Sequence, residues 1–388
     1  MAVIARSSPA AVSDRRRPTP DVILFIAMVV LSALGVLMIY SASRGRLEAR
    51  GLDPTSEMVE QAIFAAVGLV LFFVASFIDY REWRNVAPAI YIATLIALGA
   101  VFLFEPGAAR AQRWIPIGSY QLQPAEFAKA AMIVVLASVL VPVREEGMSW
   151  RRLVQTIVIV AIPALLIYLQ PDLGTMLVFA FITLVMLFIG GTTLRQLTVL
   201  MVAAGAGILA IWRLELLRPY QIERLQSVFN PAAADPLGAL YNRIQSEIAI
   251  GSGGFFGKGL FLGTQTNLDF VPAQTTDFIF TAVGEQVGFV GGALVLLTYG
   301  IIIWRLLVIA TNARDRYGVL VVAGIAAMFA FHVYVNIGMT VGIAPVTGLP
   351  LPFMSAGGST FATMAISLGV ANSVWLRRSP VPGETYIV

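Results

Sequence analysis

The chain has no cysteine, one histidine (His332) and two lysines (Lys129 and Lys258) in 388 residues. The first absence excludes disulfides and thiolate chemistry. A single imidazole excludes a histidine-rich metal site and argues against a Ser-His-Asp triad. Charge is scarce as well: Asp, Glu, Lys and Arg make up 12% of the residues, against about 25% in ordinary soluble domains. The deficit is filled by apolar side chains, which reach 58%, with a mean hydropathy of +0.82. The formal net charge of +4 comes from residues scattered through loops, so it points to no nucleic-acid partner.

Apolar runs near the length that crosses a bilayer recur along the whole sequence. They predict an all-α polytopic membrane protein with ten spans, at roughly 21–40, 58–78, 86–104, 125–142, 153–169, 174–191, 194–212, 279–304, 317–341 and 356–376. A transmembrane barrel would show short alternating segments instead. Residues 1–20, with Arg15-Arg16-Arg17 and three prolines, read as a disordered cytosolic tail, and 379–388 as a second tail. Between them, 21–378 reads as one transmembrane domain with a large loop at about 213–278, between the seventh and eighth spans. No small-residue cleavage site follows the first run, so that run reads as a retained helix.

Basic residues set the orientation. The tails and even-numbered loops carry 15 of them, and the short loops on the other side carry 6. Long loops count little in this rule. Both termini are therefore expected in the cytosol. The chemically unusual segments then fall on the outer side: Arg110–Lys129, Gln170–Thr175, the long loop, and Gly342–Ser359. Gly251–Gly259, GSGGFFGKG, has glycines and a lysine without P-loop spacing. Leu240–Ile250 has the pattern of a short amphipathic helix at the outer surface.

Several side chains in these segments have both a structural and a functional reading. Asp277 lies at the mouth of the eighth span, where a carboxylate is costly to place and marks a candidate site. Glu126 and Lys129, three apart on a helix, either orient helices as a buried pair or line a polar cavity. Asp172 is either the N-cap of the sixth span or a second carboxylate opening beside Asp277. Arg110, Arg113 and Trp114 form either an interfacial anchor or a diphosphate clamp. His332 reads first as an interhelical hydrogen bond, with Asn336 one turn on. Gly342–Ser359 holds non-helical backbone at membrane depth, which must be buried or line a wet cavity.

These segments resemble the SEDS family of peptidoglycan polymerases. RWIPIG with QPAEFAK, QPDLGT, GKGL, GTQT, TTDFIF with Gly284-Glu285, and NIGM followed by PVTGLPLPFMSAGGS match its motifs in order, over about 20–378. GTQT and the last segment are more like the cell-elongation, RodA-like branch. Departures are Thr275 where the family usually has His, Ala273 for Glu, Gln286 for the second Glu of its GEE, and Ala356 for Tyr in SYGGS. The resemblance implies a ten-helix bundle in the bacterial cytoplasmic (inner) membrane. Its implied activity is polymerisation of lipid II at the outer face, for cell elongation and rod shape. It implies a class B penicillin-binding protein as partner and Asp277 as catalytic base. Trp114, Arg110, Arg113, Glu126, Lys129, Asp172, Lys258, Thr276 and Ser355 would line the cavity. A divalent cation, Mg or Mn, could sit on Glu126, Asp172 or Asp277; no organic cofactor is expected. Rival readings are a lipid II flippase and a non-catalytic scaffold.

Because the chain has no cysteine of its own, orientation can be tested against a clean background. A cysteine at Thr264 should react with a membrane-impermeant reagent in intact cells, and one at Asp315 should not. Labelling at Asp315 from outside would reverse the topology.

Overall fold

The computed structural model describes residues 19–104, 113–118, 120–142, 147–214, 219–230, 235 and 238–378. The expected tails and Arg110 lie outside the described residues. Among those described, eight helices are long and apolar enough to cross a membrane. They are α1 (Val22–Ala49), α2 (Ser56–Phe77), α4 (Ala87–Phe104), α6 (Trp150–Leu169), α8 (Leu194–Arg213), α12 (Ile279–Thr311), α13 (Arg316–Thr340) and α14 (Gly358–Leu376). The remaining two of the ten expected spans are α5 (Pro124–Leu140) and α7 (Leu173–Ile189), each of 17 residues. That is the short end of what spans a bilayer. A single-turn α3 (Tyr80–Asn85) links α2 to α4, and a hairpin of β1 (Ile115–Ile117) and β2 (Tyr120–Leu122) precedes α5. The large loop holds α9 (Pro219–Phe229), α10 (Ala239–Gly253) and α11 (Thr264–Asn267).

Polar residues set the helix starts. Asp21, Ser149, Asp172, Thr193 and Asp315 each accept a backbone N–H of the following first turn, satisfying donors that a helix start leaves open. Burial then sorts the bundle. The described length of α5, α13 and α14 is mostly enclosed, whereas α2, α4 and α8 turn many apolar side chains outward. At the end carrying both described termini, Arg305 binds Asp21 at 2.5 Å, Asn372 accepts the Asp21 N–H at 2.9 Å, and Asp315 takes Tyr80 and Arg81. The large loop lies at the opposite end.

Three elements differ from expectation. The first helix runs nine residues beyond its apolar stretch. Arg44 there donates to the Phe261 carbonyl at 2.7 Å, and Arg46 reaches Glu57 at 2.6 Å. The eighth span is not one continuous helix. Gly288 adopts φ +72°, and the carbonyls of Gly254 and Phe255 accept the Phe289 and Val290 N–H groups across the break. A side chain at Gly288 would begin 2.3 Å from the Gly257 nitrogen, so only glycine fits. Finally, α10 forms where an amphipathic helix was expected, but it docks on α12 through small residues. Ser246, Ala249 and Gly253 are buried, while Ile244 and Ile248 stay exposed.

This docking gives a test with a built-in control. A side chain at Gly253 would meet the Gly284 carbonyl oxygen at 2.0 Å, whereas nothing lies within 4 Å of one at Gly251. Gly253→Ala should destabilise by about 1–3 kcal/mol through overpacking. Gly251→Ala should stabilise by roughly 0.5–1 kcal/mol through helix propensity. Thermal unfolding in detergent measures both, and equal effects would show that α10 does not dock this way.

Candidate functional site

Asp277 hangs on a tight turn at the start of α12. The carbonyl of Ala273 accepts the N–H groups of Thr276, Asp277 and Phe278 at 3.2, 3.0 and 3.3 Å. Ala273 itself lies at φ +53°. Left-handed backbone at a non-glycine residue is strained and persists only where the surroundings impose it. Here the Thr275 carbonyl accepts the Ala356 N–H at 2.8 Å, and buried Gln274 donates to Thr266 and Thr281 at 3.1 and 3.0 Å. The carboxylate faces Gly348, where a side chain would begin 3.5 Å from Oδ2. Thr276 gives its hydroxyl proton to the Ala273 carbonyl at 3.2 Å and also stands against the Asp277 carboxylate.

Two arginines and an acid act electrostatically on this carboxylate. Arg224 comes from α9, Arg113 from the residues before β1, and Asp172 from the start of α7. Burial pushes the Asp277 carboxyl above the usual carboxylate range. Arg224, the Thr276 hydroxyl and Arg113 pull it back, and the Asp172 charge adds to the rise. Arg113 also donates to the carbonyls of Gln170, at 3.2 Å, and Pro171, which pins the hairpin to the α6–α7 turn. Arg224 donates to the Thr347 carbonyl at 3.4 Å. Trp114 is half-buried beside this hairpin.

Asp172 is buried at the α6–α7 turn. It caps α7, accepting from Thr175 N at 3.1 Å and Thr175 Oγ1 at 3.0 Å, and it takes Gln123 Nε2 at 3.2 Å, yet its charge also acts on Asp277. Glu126 and Lys129 are a fully buried pair at 2.6 Å. The lysine also meets His332 Nε2 at 3.0 Å, so its ammonium is held within the helix bundle.

Two residues expected in the cavity are committed elsewhere. The Lys258 ammonium binds Glu285 at 2.9 Å and Thr264 at 2.8 Å. Glu285 is fully buried and also accepts from Gln265 N, Thr266 N and Thr266 Oγ1. Lys258 thus neutralises an internal acid that shapes the GTQT turn. Ser355 is buried and accepts the Leu351 N–H at 2.8 Å, fixing a turn of the loop before α14. Conversely, Arg224 was not singled out from sequence. Its signal was faint: a basic residue in a short polar helix opened by Pro219, in a loop whose charges the orientation rule discounts.

The carboxylates do not form a metal nest. Among the described residues no three His, Asp or Glu side chains converge to hold an ion. Glu126 is spent on Lys129, and Asp172 on Thr175 and Gln123. No step is therefore assigned to a metal.

The fold and site define a polytopic helical membrane protein with a carboxylate–diarginine centre at one end of its bundle. The chain belongs to the cell cycle protein family of FtsW, RodA and SpoVE, whose pattern covers residues 21–379. It is 38% identical over 363 residues to peptidoglycan glycosyltransferase MrdB of Escherichia coli K12, covering 92% of each chain. It is 36% identical to stage V sporulation protein E of Bacillus subtilis, covering 92% of this chain and 98% of that one. Among solved structures, a chain of a peptidoglycan synthase complex that coordinates polymerization and crosslinking superposes with TM-score 0.77 at 32% identity. That match covers 94% of this chain and 99% of the other. The rod shape determining protein RodA of Thermus thermophilus superposes with TM-score 0.68 at 28% identity, covering 93% and 98%.

The buried pair yields a stability test. Removing one partner of a buried ion pair typically costs about 3–5 kcal/mol, whereas an apolar replacement of both is often neutral. Glu126→Leu should lower thermal stability strongly, and Glu126→Leu with Lys129→Met should recover most of it. No recovery in the double variant would mean that the pair is not an isolated charge balance.

Proposed function

We propose that this chain is a peptidoglycan glycosyltransferase, polymerising lipid II into glycan strands at the outer face of the cytoplasmic membrane. Relatives bearing that activity in their names align over nearly the whole chain. The observation that carries the reading is the placement of Asp277, a partly buried acid under the charge of two guanidiniums on an imposed turn. In the reaction, the acceptor sugar's 4-hydroxyl oxygen bonds to the donor's anomeric carbon. The bond from that carbon to the diphosphate breaks, and its electron pair leaves with the diphosphate. Asp277 takes the hydroxyl proton. Arg113 and Arg224 oppose the charge growing on the leaving group, for which the planar fork of arginine is suited. Lys129 and Lys258 leave this role because their ammonium groups balance internal carboxylates.

Transport of lipid II is the weaker reading. A flippase needs polar groups through the membrane thickness, but the central helix α13 has no polar side chain from Gly318 to Phe331. A pure scaffold would need no acid on an imposed turn. The finer proposals are the cell-elongation role, cytosolic termini, and a class B penicillin-binding protein as partner. The match to a chain of a peptidoglycan synthase complex supports that partner.

Asp277→Asn preserves shape and removes the proton acceptor. Lipid II polymerisation by purified protein with its partner should fall at least roughly 10²-fold, as general-base losses run about 10²–10⁴. Folding and partner binding should survive. With its carboxyl above the usual range, wild-type activity should fall on acidification at a pH above about 4. Polymerisation by Asp277→Asn within a few-fold of wild type would remove Asp277 as the base.

A further inference from the structure

The only histidine of the chain lies fully buried on α13, outside the centre just described. Its two ring nitrogens touch different elements. Nε2 stands 3.0 Å from the Lys129 ammonium of α5, and Nδ1 stands 3.1 Å from the Pro350 carbonyl in the loop before α14. Lys129 is a donor without an acceptor atom, and a carbonyl is an acceptor without a donor. Both contacts therefore demand the same species: a neutral ring with its proton on Nδ1 and a bare Nε2. An imidazolium would present a second cation to Lys129 and could not accept from it. The charged groups facing the ring from α5 are Glu126 and Lys129 themselves.

The consequence lies in what Pro350 belongs to. One turn along α13, Asn336 donates to the Leu349 carbonyl at 2.7 Å and to the Asp277 carbonyl at 2.9 Å. Two residues before Pro350 is Gly348, against which the Asp277 carboxylate rests. Leu349 and Pro350 are thus hung from one face of α13 by Asn336 and His332. The buried Lys129–Glu126 pair backs the imidazole.

We propose that His332 is a positioning residue, held as the Nδ1–H tautomer by Lys129, through which the α5 ion pair fixes the loop that faces Asp277. The positioning role rests on the polymerase reading. The tautomer does not, which allows the two to fail separately.

Because the chain has one histidine, labelling with ¹⁵N-histidine gives a spectrum of this ring alone in the full-length protein. At neutral pH the expected result is a protonated Nδ1 and a bare Nε2. Protonation at Nε2, alone or with Nδ1, would overturn the proposal. In polymerisation assays with the partner, at matched folded amounts, His332→Gln should retain most activity. Its amide oxygen can accept from Lys129 while its nitrogen donates to Pro350. His332→Leu should lower kcat by on the order of tenfold or more with little change in KM, as misplaced reacting groups do. Leu within about twofold of wild type, or Gln as impaired as Leu, would also overturn it. If the Leu variant does not fold, the nitrogen spectrum of wild type still decides. An inactive wild type with the expected spectrum would sink the polymerase reading and leave the imidazole link standing.

Discussion

Backbone that leaves the helix at membrane depth must find every partner inside the protein, and the segment between α13 and α14 is where this constraint is most demanding. Its three prolines supply no N–H, so its carbonyls are what need satisfying. Five side chains from four other elements do this. Arg224 of α9 takes Thr347, Asn336 of α13 takes Leu349, and His332 of α13 takes Pro350. Tyr299 of α12 takes Pro352 at 2.6 Å, and Gln61 of α2 takes Ser355 at 3.3 Å. Backbone also contributes, since Ala356 N–H goes to Thr275 in the turn that carries Asp277. Even α1 closes on this loop: a side chain at Gly35 would begin 2.5 Å from the Phe353 carbonyl oxygen. Satisfying one irregular loop thus draws α1, α2, α9, α12 and α13 together around the candidate site.

A second acid organises the other wall. Glu285 is fully buried, yet accepts four hydrogen bonds from the Thr264–Thr266 turn and one from Lys258. A carboxylate so engaged is tolerated in a buried setting because each lone pair has a donor. Its neighbour Gln286 accepts from Ser41 at 2.8 Å and from Phe261 N at 2.9 Å, tying α1 to the same turn. The break at Gly288 lets the short buried segment that bears both residues point into this loop while the rest of α12 continues through the bundle. The large loop is therefore folded around two side chains of a helix start.

Hydropathy alone placed the transmembrane helices to within a few residues, because a long apolar stretch has one dominant way to bury its backbone polar groups. The ends were less legible where polar sequence is helical for tertiary reasons, as in the extension of α1 held by Arg44 and Arg46. The break in α12 was invisible because Gly288-Phe289 opens a long apolar run in which a glycine gives no contrast, and its cause lies some thirty residues away at Gly254–Gly257. Of the candidate site, Asp277, Asp172 and Arg113 were legible as polar residues interrupting apolar sequence. Lys258 stood out for the same reason, and its ammonium is bound to Glu285 and Thr264. A charge at a loop reads identically whether it faces a substrate or a buried partner, and Glu285 was hidden within an apparent span. Arg224 failed in the other direction, since polar surroundings gave it no contrast.

The arrangement of charge bears on the proposed role of Asp277 as a base. In isolation, burial would push Asp277 toward its neutral form, and the neighbouring Asp172 acts in the same direction. Two arginines alone would hold it firmly ionised and weakly basic. The structure places both influences on one carboxylate and leaves the balance on the raised side, where basicity is greater. Asp172 can play this part because its own oxygens are held by Thr175 and Gln123, so its charge is fixed in place by helix capping. In the proposed reaction the same guanidiniums that restrain Asp277 would also oppose the charge of the departing diphosphate. On that proposal, negative charge would pass from the acid to the leaving group without the cations moving, which is the condition for preorganised electrostatic stabilisation.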